Sequence, residues 1–147
     1  SWAPDGQHIV FVGCPRSVCR EADYEVYRIP ASGGQAERVT NNDVPDYDPY
    51  YSPSGGQLGW LQKLGGEGIG TWDVQIGGSK GHDAERLAGD SGVTSRPQWS
   101  PDGKKIYVHR IAPGGANFDI YVTDASGNGR LRMVTKGQPG NNEYPSP

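Results

Sequence analysis

The sequence predicts an all-β fold: about three propeller blades, each a unit of four antiparallel strands. Two observations carry this reading, a turn motif that returns at a near-constant interval and a fixed order of short apolar runs between its returns. Ala3-Pro4-Asp5-Gly6, Ser52-Pro53-Ser54-Gly55 and Ser100-Pro101-Asp102-Gly103 are variants of one Ser-Pro-Asp-Gly motif, and Ser146-Pro147 begins another. They recur 49, 48 and 46 residues apart. Repeats of that length, made of β-type runs and turn residues, are the mark of propeller blades. The units run at about 1–47, 48–95 and 96–141, and the first strand of a fourth is expected at 142–147.

Each unit reads in the same order. Pro presets φ at the start of the turn and Gly supplies the positive φ that closes it. A second strand follows at His8–Val12, Gln57–Leu61 and Lys105–His109. After a loop comes an aromatic-acidic-aliphatic signature, Tyr24-Glu25-Val26-Tyr27, Trp72-Asp73-Val74-Gln75 and Phe118-Asp119-Ile120-Tyr121. Gly-rich turns then lead to a fourth short run at Glu37–Thr40, Glu85–Ala88 and Arg132–Thr135. The next unit opens at Asp48–Ser52, Arg96–Ser100 and Asn142–Ser146. Period-two alternation, β-branched and aromatic enrichment and short Gly-rich turns all specify antiparallel strands. No segment combines caps with a 3.6-residue apolar period, so no helix is expected.

Composition narrows the function classes. The chain has 147 residues, room for one ordinary domain. Its 23 glycines and 12 prolines punctuate β-type runs at regular intervals, which makes them turns and not low-complexity sequence. A net charge of −3 without a basic patch argues against nucleic acid as a partner. No apolar stretch approaches the ~20 residues of a membrane span. The two cysteines, Cys14 and Cys19, share one loop. A disulfide stapling that loop in an oxidising compartment is the preferred reading; two free thiols are the alternative. A metal site is the weakest reading, because His8 adds only a third ligand and no paired motif.

The recurring residues carry structural explanations. Trp2, Tyr51 and Trp99, just before each turn motif, are expected to pack between neighbouring blades. Glu25, Asp73 and Asp119 recur at one strand position, as acids that accept backbone or turn hydrogen bonds would. His8, His82 and His109 do not cluster, and each is expected at the surface. Neither a catalytic triad nor a phosphate-binding glycine loop is present.

The run Pro97–Ile106 (Pro-Gln-Trp-Ser-Pro-Asp-Gly-Lys-Lys-Ile), with Asp119-Ile-Tyr-Val122 and Met133-Val-Thr135, resembles the repeat of TolB-type β-propellers. The first repeat departs with Ala3 for Ser and the second with Ser54 for Asp; the fourth has Glu143 where Pro is expected. The resemblance covers the whole chain and implies a propeller of six blades or more. Three blades would then need a partner. Either the rest of a longer chain or a second copy of this one would supply it, and the first reading is favoured. The resemblance further implies a binding scaffold with its ligand at the channel mouth and no single activity. The leading expectation is a non-enzymatic propeller that binds a protein or peptide through its loop face, in the periplasm or outside the cell. Two alternatives are an accessory propeller of a prolyl-oligopeptidase-type hydrolase and a carbohydrate-binding propeller.

Recognition is expected where the sequence varies, in the loops leading into each innermost strand and in those joining second to third strands. The candidate ligand-binding residues are Asp46, Tyr47, Asp48, Arg96 and Asn142, with mixed charge at the mouth and Tyr47 available for stacking. Asp43, Asp46 and Asp48 crowd three carboxylates into six residues. They lack the spaced loop of a calcium motif, so a solvated acidic loop is preferred and no cofactor is assigned.

Overall fold

The computed structural model describes residues 1–65, 70–87, 92–126 and 130–143. It contains three antiparallel sheets with strands in consecutive order. The first joins β1 (His8–Gly13), β2 (Glu25–Pro30) and β3 (Glu37–Arg38). The second joins β4 (Asp46–Tyr51), β5 (Gln57–Gly65), β6 (Thr71–Gly78) and β7 (Glu85–Arg86). The third joins β8 (Val93–Trp99), β9 (Lys105–Ile111), β10 (Asp119–Asp124) and β11 (Arg132–Met133). In the first sheet the innermost place is taken by the residues around Trp2, which bridges Ile9, while Ala3 donates to the His8 carbonyl at 2.8 Å. These are propeller blades. The outermost strands span only two residues each, shorter than the four-residue runs in the sequence. Tyr144–Pro147, on which most of the expected fourth strand falls, lie outside the described residues.

Every turn motif is built the same way. The amides of Gly6, Gly55 and Gly103 donate to the carbonyls of Ala3, Ser52 and Ser100 at 2.8–2.9 Å, and the three glycines sit at φ 67°, 73° and 70°. Ser52 and Ser100 accept the amides of Gln57 and Lys105, five residues on, with their side-chain oxygens. Asp5, Ser54 and Asp102 each accept the amide two residues ahead, the local side-chain turn that favours Asp and Ser here.

Alternate residues of each strand face a neighbouring sheet. Val10, Val26, Leu58 and Trp60 form the core between the first two sheets, with Tyr51 and Val39 against it. A larger core that includes Val74, Ile76, Trp99, Ile106, Val108 and Tyr121 fills the second junction. Tyr51 and Trp99 thus pack between blades as expected. Trp2 does not; it is 61% exposed because no sheet among the described residues faces it.

The recurring acid is structural. Glu25, fully buried, accepts from Arg38, the Thr40 hydroxyl and the Asn42 amide. Asp119 takes the Thr135 hydroxyl at 2.8 Å and the Asn142 side chain at 3.2 Å, so acid and threonine recur together. Asp73 accepts the Val74 amide and sits 3.4 Å from the Arg86 guanidinium. Glu25 and Asp119 thereby tie the third strand to the chain segment that leaves the blade, and Asp73 ties it to the fourth strand.

Candidate functional site

In an antiparallel sheet the first and third strands begin on the edge where the second strand ends. All three sheets share that edge, and loop side chains collect there. Glu21, Tyr47, Asp48, Trp72, Thr94 and Phe118 line an open cleft of about 410 Å³, with Leu61, Val93 and Ser95. Tyr24, Tyr47 and Trp72 form an aromatic row, with centroids 5.5 and 5.6 Å apart. Lys63 spans two sheets: its Nζ lies 2.9 Å from Glu21 and 5.7 Å from the centre of the Trp72 ring.

The loop that presents Glu21 is tightly organised. A disulfide joins Cys14 to Cys19, with Cα atoms 6.2 Å apart. Glu21–Asp23 then form a single 3-10 turn, where the sequence predicted no helical residue. Its cause is local: the Arg20 amide donates to Asp23 at 2.9 Å and the Arg20 guanidinium at 2.8 Å. The Arg20 side chain, then its amide, holds the Asp23 carboxyl down at about 2.

Asp48 sits at a bulge between Tyr47 and Tyr50 and adopts φ 47°, a left-handed conformation that Asp tolerates better than most residues. The bulge re-aims Tyr47 and Asp48 onto the cleft. Asp46 stands behind them and is fully buried. It accepts from the Asn42 side chain at 2.7 Å and from Gln62 at 3.1 Å. Burial lifts its carboxyl to about 6, opposed by these hydrogen bonds and reinforced by the nearby Glu25. Asp46, expected to bind ligand, is therefore not among the residues that line the cleft.

Arg96 lies in β8 beside Ser95 of the cleft; its side chain is outside what the structure describes. Asn142 corrects the repeat register. Its amide donates to the Phe118 carbonyl at 2.7 Å, as the Asp46 amide does to Tyr24 at 2.9 Å. Asn142 is therefore the counterpart of Asp46, two positions earlier in the repeat than Asp48 and Arg96. Its neighbour Phe118 lines the cleft. Asp43, Asp46 and Asp48 do not converge, and no group of three metal-ligating side chains occurs among the described residues. His109 is another correction: it is only 4% exposed and meets Phe118 edge-on at 5.1 Å.

Glu21, Trp72, Thr94 and Phe118 were not singled out from sequence as site residues. A signal for two of them was present, since Tyr24, Trp72 and Phe118 share one repeat position just before the acid. That position starts the third strand, and the start of the third strand is on the mouth.

This architecture is the TolB-type propeller fold. The chain superimposes on a TolB-like protein of Agrobacterium tumefaciens with a TM-score of 0.72 and 20% identity, covering 90% of this chain and 46% of that one. For TolB of Acinetobacter baumannii the TM-score is 0.69 at 23% identity, covering 90% and 31%. An oligogalacturonate lyase solved with manganese matches at a TM-score of 0.67 and 14% identity, covering 86% and 38%. In sequence, an uncharacterised protein of Agrobacterium fabrum is 28% identical over 119 residues, 76% of this chain and 39% of that protein. The chain thus spans less than half the length of these relatives. No family model matches it. Among the described residues no helix is long and apolar enough to cross a membrane.

Proposed function

We propose that the chain is part of a non-enzymatic binding propeller whose mouth cleft takes an extended peptide segment of a protein partner. The observation that carries this is the convergence of Tyr47, Trp72 and Phe118, from two sheets, on one open cleft that also holds Glu21, Asp48, Thr94 and Ser95. Apolar walls with a few placed polar groups are what small ligands and peptides bind. The rings offer rigid stacking area at low entropic cost, and the hydroxyls and carboxylates can engage backbone amides. Glu21 is engaged by Lys63, a positioning arrangement. The Cys14–Cys19 disulfide favours an oxidising site of action, periplasmic or extracellular.

The test is selection from a phage-displayed random peptide library against the folded chain, with trigalacturonate titrated in parallel as a carbohydrate probe. Enriched peptides that lose binding to Trp72→Ala and Tyr47→Ala support the reading. Saturable trigalacturonate binding lost in Trp72→Ala, with no peptide enriched, replaces it by a carbohydrate-binding propeller. Peptides that bind Trp72→Ala and Tyr47→Ala as well as the parent chain overturn it.

A further inference from the structure

We infer that the outer face of the first sheet is a docking surface for a further blade of the same repeat, one with glycine at the position of Gly59. A second copy of this chain does not fit there. The pairings Trp2↔Ile9, Tyr51↔Leu58 and Trp99↔Ile106 put the three aromatic residues at one position of the repeat. At each internal junction that aromatic packs toward the preceding blade, and the residue it meets differs in size. Tyr51 packs on the cluster that contains Val10. Trp99 packs over Gly59, where an added Cβ would lie 2.6 Å from Cη2 and 3.1 Å from Cζ3 of the indole. Val10 and Gly59 are the same repeat position, each third from the start of its second strand. The larger aromatic thus faces the smaller partner, as close packing at a fixed sheet spacing demands.

Trp2 is the third aromatic in this series, and among the described residues it has no partner sheet. On its side of the first sheet stand Ile9, Phe11 and Tyr27, the last two stacked with centroids 5.8 Å apart. These are the counterparts of Ile106, Val108 and Tyr121, all buried at the second junction. A face that matches a buried blade–blade face position by position is built for a blade. A large indole at the Trp2 position needs the free volume that Gly59 leaves for Trp99.

The free face of the third sheet cannot provide that volume. At the place of Gly59 it carries Tyr107, third in β9. A ring closed from two copies would set Trp2 against Tyr107, two large rings where the second junction places Trp99 over Gly59. Overpacking of this kind is destabilising.

The experiment is light scattering on a size-exclusion column with the full chain, combined with hydroxyl-radical oxidation of Trp2 read by mass spectrometry. The unmodified chain should form no dilution-resistant dimer at about twice 15.8 kDa, and Trp2 should stay fully oxidisable. Tyr107→Gly should strengthen head-to-tail pairing by roughly tenfold to a hundredfold and protect Trp2, and adding Trp2→Ala should reverse both. Circular dichroism confirms that the variants fold; Tyr107→Ala replaces the glycine if that variant does not. A stable parent dimer with Trp2 protected overturns the inference. So does a folded Tyr107 variant that pairs no better than the parent.

Discussion

The two junctions between the three sheets solve one problem with different residues. At the first, Tyr51 meets a core of Val10, Val26, Leu58 and Trp60. At the second, Trp99 lies over Gly59 with Ile76, Ile106 and Val108 around it. The polar layer differs as well. Asp46 is held by Gln62 at 3.1 Å in the second sheet, and the counterpart pair in the third is Thr94 with Arg110, also at 3.1 Å. Burial pushes Asp46 up and Arg110 down, so each resists its own charge. The repeat therefore dictates where a large group, a small group and a buried polar pair must stand. It leaves size and charge to be balanced across each junction.

Truncating the shared aromatic position gives the largest contrast. Trp99→Ala should cost about 3–5 kcal/mol, because the buried ring leaves a cavity that the sheets cannot close. Tyr51→Ala, from a half-buried site, should cost about 2 kcal/mol. Trp2→Ala should stay within about 0.5 kcal/mol in the isolated chain, as exposed positions do. Urea midpoints at constant m-value read the series. Equal losses at Trp99 and Trp2 would break the comparison, since they would mean that Trp2 is already covered.

A smaller effect sharpens the size argument. Gly59→Ala puts its methyl 2.6 Å from Trp99 and 3.0 Å from Ile76, and should cost about 1–3 kcal/mol. In the Trp99→Phe background the outer ring is gone and most of that cost should vanish, a coupling that a double-mutant cycle measures. Additive losses would show that the glycine serves backbone conformation and not the indole.

These cases also mark what sequence alone could show. The turns were legible because their hydrogen bonds close within five residues: Ser100 to Lys105, Asp102 to Lys104, Gly103 to Ser100. The β order was legible because alternation is local too. The size rule was not, because Gly59 and Trp99 stand forty residues apart in sequence and their fit exists only across two sheets. Trp2 reads like Trp99, yet its exposure depends on a neighbour that its own sequence position does not specify. Ser146-Pro147 imitates the turn motif, but the Asn142 amide shows the register. Pro145 stands 48 residues after Pro97, as Pro97 does after Pro49. The mouth residues were half legible: Tyr47 and Asp48 as loop variation, Trp72 and Phe118 hidden in a signature that also served the strand.

The buried acid offers the finest discrimination between the second and third sheets, because burial lifts the Asp46 carboxyl to about 6 while Thr94 holds the same place in the third. Asp46 has a folded pKa of about 6 against an unfolded value of ~3.9, so the native state binds its proton more tightly. Its contribution is fully present below pH ~4 and is lost as pH rises through about 6. Ionisation then costs the fold about 2–3 kcal/mol at pH 7. Asp46→Asn should recover about 1–2 kcal/mol at pH 7, since one of the two hydrogen bonds from Asn42 and Gln62 must rearrange. Below pH ~4 it should recover nothing. Thr94, at the same place in the next blade, does not ionise, and Thr94→Val should shift stability equally at every pH in that range. Urea unfolding across this window, in the parent and both variants, separates the two outcomes. A pH-independent effect of Asp46→Asn would mean that the folded carboxyl titrates where the unfolded one does, with the hydrogen bonds from Asn42 and Gln62 offsetting its burial.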